Sequence, residues 1–290
     1  MNRHRADIVK RDPRPRPEVQ AAAPNRQAVG ERWGACGFGT QVAVLTGRSL
    51  RTAFGDYRLV FFGLLQPVVM LLLFSQVFSR IGTLPGVVQY RGYINFLMPA
   101  TLINIAVTTA MSSGVGVLAE IYTGFIGRLR AMPISMFAVL VARTLSDALR
   151  LAVQLTVAVV AAVLFLDFRP AGFAGIATAL GLAVLVGWGL GWLFVAIATW
   201  QRKAETMQAV SFIVMFPLMF GSSAYMPVAA MPGWLRVLST VNPLTYAINA
   251  TRALTAGAPA ASALATAIGI VVALAVLGAA GAARNFRRTR

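Results

Sequence analysis

Six stretches of this 290-residue chain are each about twenty residues long and nearly free of charge, which leaves few folds open. They fall at roughly 59–79, 94–119, 146–166, 171–199, 207–227 and 260–283. Inside a bilayer every backbone N–H and C=O must be satisfied within its own segment, so runs of this kind become helices. Composition agrees, with 58% hydrophobic residues and only 12% charged, about half the charge of a soluble domain. The sequence predicts an all-α integral membrane protein with six transmembrane helices.

The basic residues orient it. Eleven of the 26 lysines and arginines precede the first apolar run, and four more (Arg284, Arg287, Arg288, Arg290) follow the last. By the positive-inside rule both termini are expected in the cytoplasm, as an even number of spans requires. Arg128, Arg130, Arg202 and Lys203 fall in loops that this topology also makes cytoplasmic, while the link near Asp167 and Arg169 falls outside with no net charge. Three regions follow: a disordered basic tail at 1–39, a transmembrane domain at 40–283 and a second basic tail at 284–290. The first apolar run begins too late for a signal peptide, so the N-terminus is expected to be retained. Abundant alanine, and arginine in place of lysine, point to a bacterium, hence to a multi-pass protein of the bacterial cell membrane.

Composition also excludes. The net charge of +17 could suggest nucleic acid, but no aromatic residues interleave the basic tail as base stacking requires. One cysteine, Cys36, allows neither an intrachain disulfide nor a cysteine metal cluster, and the one histidine, His4, lies in the tail. There is no phosphate-binding GxxxxGK[ST], no GxSxG elbow and no HExxH helix. No catalytic, cofactor or metal site is expected, and whatever energy the protein uses must come from a partner.

Several segments outside the spans carry patterns of their own. At 40–58, Val42, Leu45, Leu50 and Phe54 share one helical face beside Arg48, Arg51 and Arg58, the signature of a helix lying in the membrane interface. Arg143, Asp147 and Arg150 follow at steps of four and three, so they share a face and can pair. Two placements are open for them: a polar cluster in a translocation path, or a network at headgroup level. A charge at the bilayer centre costs about 2.5–3.5 kcal/mol, and 134–166 is longer than a bilayer requires, so the headgroup placement is expected. GWGLGW puts Gly187 and Gly191 at the spacing that lets two helix backbones approach. Residues 228–259 are too polar to span and too apolar for an open loop, which predicts short re-entrant helices at the outer face, with Trp234 and Tyr246 at the interface.

EIYTGFIGRLRAMPIS, at 120–135, interrupts the apolar chain with charge, glycine and proline. Together with FPLMFGSSAYMPVAAMPGWLRVLSTVNPLTYAINATRAL, at 216–254, and the six-span layout, it resembles the permeases of type 2 ABC transporters (ABC-2), in their daunorubicin-resistance exporter branch. The second stretch carries the more specific pattern, held here by Pro217, Phe220 with Ser222, Pro227, Pro232 with Trp234 and Leu235, Asn242 with Pro243, and Arg252. Gly221-Ser222-Ser223 stands where many members have Ser-Gly. The resemblance covers about 40–283.

The resemblance implies a role for 120–133, as a short cytoplasmic coupling helix that fits a groove on a separate ATPase. Its residues would be Glu120, Tyr122, Gly124, Phe125, Gly127, Arg128 and Arg130, with Pro133 dividing it from the next helix. It further implies the membrane subunit of an exporter that moves a lipophilic drug, an antibiotic or a lipid outward, works with a second permease copy or homologue, and leaves ATP and magnesium to its partner. Two other readings are an ABC-2 exporter of polysaccharide or glycolipid, and a membrane scaffold or sensor that transports nothing.

Overall fold

The computed structural model describes residues 37–55, 57–77, 87–90, 92–124, 136–200 and 203–288. These form nine α-helices: α1 (Phe38–Gly55), α2 (Tyr57–Val77), α3 (Tyr93–Tyr122), α4 (Met136–Phe165), α5 (Phe173–Trp200), α6 (Ala204–Phe220), α7 (Gly233–Val241), α8 (Pro243–Ala256) and α9 (Ala261–Arg288). Short 3-10 turns lie at Val88–Tyr90 and Val228–Ala230, and no strand occurs among the described residues. The N-terminal tail, 1–36, and residues 125–135 lie outside the described residues.

Four described helices are long and apolar enough to cross a bilayer: Tyr93–Tyr122, Phe137–Phe165, Phe173–Trp200 and Ala261–Asn285. The first and fifth apolar runs of the sequence fall on α2, of 21 residues, and α6, of 17. At 1.5 Å per residue α6 rises about 25 Å, short of a 30 Å hydrocarbon core. It ends early because the chain turns at 221–226, where Gly221 N–H donates to the Pro217 carbonyl (2.8 Å) and the Ser222 hydroxyl to Met219 O (2.6 Å). Conversely α4 begins ten residues before the expected start of its span at 146. Arg143 and Asp147 do not stop the helix, because α3 supplies a partner for them.

α5 is the centre of the bundle, and backbone proximity places it there. A Cβ at Gly114 would fall 2.8 Å from the Phe194 carbonyl oxygen, and one at Gly187 3.2 Å from Ala106 O, so α3 and α5 touch backbone to backbone. On the opposite side of α5, a Cβ at Gly278 of α9 would fall 2.6 Å from Leu193 N, and one at Gly189 3.1 Å from Val271 O. The expected Gly187 and Gly191 pair is therefore not one seam. Gly187 serves the α3 contact, Gly189 the α9 contact, and a Cβ at Gly191 would meet nothing within 4 Å. Small residues bring backbones close enough for dispersion to act where lipid supplies no hydrophobic drive. Phe96, Leu97, Leu102, Ile103, Leu151, Leu155 and Phe194 fill the core between α3, α4 and α5.

α1 lies along α4. Val42, Leu45 and Leu50 are half-buried on one face while Arg48 and Arg51 are exposed, and the Thr46 hydroxyl donates to Ala142 O (3.3 Å). Phe38 stacks on Phe137, which stacks on Trp192. The side chains of Phe54 and Arg58, the rest of the expected interfacial pattern, lie outside the described residues.

Candidate functional site

Two polar assemblies stand out in this apolar bundle, one at each end of α3. The first is where α3 finishes. Its last turn is closed by Thr123 N–H to Ala119 O (3.0 Å) and Gly124 N–H to Ile121 O (3.2 Å). Gly124 has φ +67°, a left-handed conformation that residues with a Cβ rarely adopt, and so turns the chain off the helix axis. Tyr122 is exposed there. Phe125, Gly127, Arg128, Arg130 and Pro133, the rest of the expected coupling segment, lie outside the described residues.

Glu120 and α4 bracket that segment. The Arg143 guanidinium donates to Glu120 Oε1 (2.6 Å) and, through Nε, to Asp147 Oδ2 (3.3 Å). Both acids are part-buried, so these ion pairs are screened less than surface ones. Gly116, one turn before Glu120, makes room for the guanidinium, since a Cβ there would collide with it. Arg48 of α1 lies near enough to act on Glu120 as well. The expected Arg143, Asp147 and Arg150 set thus divides: Arg150 does not pair with Asp147 but donates to the Ser112 hydroxyl of α3 (3.3 Å). Its place is taken by Glu120, whose partner sequence periodicity could not supply because it lies 23 residues away, across a loop. The pairings 120 with 143, 112 with 150 and 109 with 154 run antiparallel, lacing α3 to α4 over several turns.

The second assembly surrounds Arg252, on α8. This side chain is 4% exposed and has no acidic partner among the described residues. Its Nε donates to Phe96 O (3.1 Å), one terminal nitrogen to Asn249 Oδ1 (3.1 Å) and the other to Ser223 O (2.9 Å). The guanidinium lies 3.8 Å from the centroid of the Phe96 ring. Burial pulls its pKa down to about 10, so it remains a cation near neutrality.

Pro217 lies inside α6, and most of the other residues of the 216–254 pattern prove to be turn and cap positions. Asn242 caps α8, its Oδ1 accepting from Leu244 N–H (2.9 Å) while its Nδ2 donates to Leu218 O (2.7 Å). Pro243 follows at the first helical position, where its missing N–H costs nothing. Pro227 precedes the 3-10 turn, and Pro232 precedes α7, in extended conformations. Trp234, on α7, is 72% exposed. Asn249 is the residue that the sequence reading missed: it accepts from both Arg252 and Ser223 Oγ (2.8 Å). Its spacing of three from Arg252 on a helix is the signal that could have found it.

Residues 40–255 match the family described as ABC-2 type transporter, and that span takes in α1 to α8 with both assemblies. The chain belongs to the ABC-2 type transporter family. Among its relatives is the daunorubicin resistance ABC transporter permease protein DrrB1 of Streptomyces coeruleorubidus, 29% identical over 194 residues, or 67% of each chain. The probable doxorubicin resistance ABC transporter permease protein DrrC of Mycobacterium tuberculosis is 24% identical over 226 residues, covering 78% of this chain and 80% of its own. A putative transport permease, ycf38, of Cyanophora paradoxa is 28% identical over 195 residues, 66% of this chain and 65% of its own. This ABC-2 chain is thus a multi-pass membrane protein of the permease kind, with relatives named for drug resistance.

Proposed function

We propose that this chain is the membrane-spanning permease of an ABC exporter, driven by a separate ATPase and moving a lipophilic drug or antibiotic, or a lipid-like compound, outward across a bacterial cell membrane. In this reading α2, α3, α4, α5, α6 and α9 are six spans, both termini are cytoplasmic, and α7 and α8 lie at the outer face. Two copies, or a copy and a homologue, enclose the route. ATP and magnesium belong to the partner.

The observation that carries the reading is the Glu120–Arg143–Asp147 network at the junction of α3 and α4, within the region matched to the family. A segment that receives force at 120–133 can pass it on only if the helices at its two ends move together. Arg143, bonded to both acids, ties those ends, and the rungs at 112 with 150 and 109 with 154 continue the tie along both helices. A push on the segment then tilts α3 and α4 as one body against α5, and the exposure of the route alternates.

The test is co-purification of the tagged permease with its ATPase, and drug export, at matched expression. Tyr122→Ala and Phe125→Ala should each weaken association by about 2 kcal/mol, the usual cost of truncating an aromatic anchor at an interface. Arg128→Ala and Arg130→Ala should have smaller effects that grow at low salt. Wild-type association and export in both aromatic variants would remove the coupling role from this segment.

A further inference from the structure

α3, α4 and α5 leave a cavity of about 10 Å³ between them, room for one water molecule. Thr109, Ser113, Thr144, Asp147, Gly187 and Gly191 are among the residues that line it. Two observations show that it is more than a packing flaw. Ser113 is 2% exposed, yet its hydroxyl has no hydrogen-bond partner among the described residues, which is costly for a polar group out of reach of solvent. Gly191 is buried, yet a Cβ there would meet nothing within 4 Å, whereas at Gly187, one turn earlier, it would run into Leu151 and Ala106. Close approach explains Gly187 but not Gly191, where the helix leaves empty a space that a methyl group would fit.

We propose that this cavity binds a single water molecule, held between the Ser113 hydroxyl of α3 and the Asp147 carboxylate of α4. The wall suits a molecule that both gives and takes hydrogen bonds. The Thr144 hydroxyl is donated to Val141 O (3.1 Å) and that of Thr109 to Gln154 Oε1 (3.3 Å), so both oxygens offer lone pairs to the cavity. Asp147 only accepts when ionised, and Ser113 can act either way. A sodium ion would also find oxygen donors here, but Arg143 Nε already lies 3.3 Å from Asp147 Oδ2, and a second cation beside it would be repelled. The bound water extends the Arg143 network to Ser113 in the middle of the bundle. This inference rests on the packing of the chain and not on the exporter reading.

The test is the melting temperature of the full-length chain in lipid nanodiscs. If the cavity holds water, the methyl of Gly191→Ala displaces it, strands Ser113, costs Asp147 one of its donors, and lowers the melting temperature by about 2–4 °C. Gly191→Ser supplies a hydroxyl where the water was and should recover at least half of that loss. Ser113→Ala, which leaves the water one partner short, should also lower the value. A dry cavity gives the opposite signs: Gly191→Ala fills a void and improves helix propensity, and Ser113→Ala removes an unsatisfied hydroxyl, so both raise the melting temperature. Unchanged or raised values in Gly191→Ala overturn the proposal. So does a Gly191→Ser variant as unstable as Gly191→Ala, because crowding rather than a lost water would then explain both. Should Gly191→Ala fail to fold, the sign of the Ser113→Ala shift decides.

Discussion

Replacing Arg252 by alanine should destabilise the folded chain by about 3–5 kcal/mol. The figure comes from what the side chain touches. Three hydrogen bonds from a charged donor, to Phe96 O, Asn249 Oδ1 and Ser223 O, contribute about 1.5–3 kcal/mol each. Its position over the Phe96 ring adds about 1 kcal/mol or more. Against this stands the cost of holding a guanidinium out of water with no acidic partner, several kcal/mol, which alanine abolishes. The remainder is dominated by the acceptors left without a donor and by the void. Arg252→Met keeps most of the stem and its ring contact and should cost about 2 kcal/mol. The assay is unfolding in mixed micelles of rising SDS mole fraction, followed by tryptophan fluorescence.

The pH dependence adds a second check. The folded pKa, about 10, lies below the value the guanidinium has in the unfolded chain, so well below pH 10 the group is charged in both states and contributes no slope. Above about pH 10 the folded chain releases the proton first, and stability from this group should rise with pH. An Arg252→Ala variant within about 1 kcal/mol of wild type would refute the view that this side chain holds α3, α8 and the 221–224 turn together.

Three shorter predictions concern other parts of the molecule. A double-mutant cycle on Glu120→Gln and Arg143→Met should give a coupling of about 1 kcal/mol in the same unfolding assay, above the usual value for exposed pairs because both side chains are part-buried; no measurable coupling would remove the tie between α3 and α4. Gly278→Val should cost about 3 kcal/mol, because the first added carbon already meets the backbone of Leu193 and forces α9 from α5; a near-neutral result in thermal unfolding would contradict that seam. Trp234→Cys, made in a Cys36→Ser background, should react with a membrane-impermeant maleimide in intact cells, and labelling only after lysis would reverse the proposed topology.

The sequence alone was enough to establish helices in a membrane, because that outcome follows from the length and apolarity of each run and requires no knowledge of neighbours. Asn242 and Pro243 were named only as part of the family pattern, and the structure shows what they do: they cap the start of α8, as Gly257 at φ +71° ends it, through local backbone geometry. The resemblance in 120–135 and 216–254 pointed to the family, which the match over 40–255 establishes. What the sequence could not supply was pairing across the bundle. Glu120 looked like part of a loop motif and is instead the partner of Arg143. Arg150, in step with Asp147 along one helix, turns to Ser112 on another. Gly187 and Gly191 share a motif but not a contact, since four residues on a helix advance 400° and a slight difference in angle separates a packed backbone from an open cavity. Arg252 could be named from its pattern, but its acceptor on Phe96 lies 156 residues away. Periodicity along one helix fixes which residues share a face. Which neighbour that face meets, and whether a charge finds a carboxylate, a carbonyl or a hydroxyl there, depends on how the helices pack, and only the tertiary structure decides it.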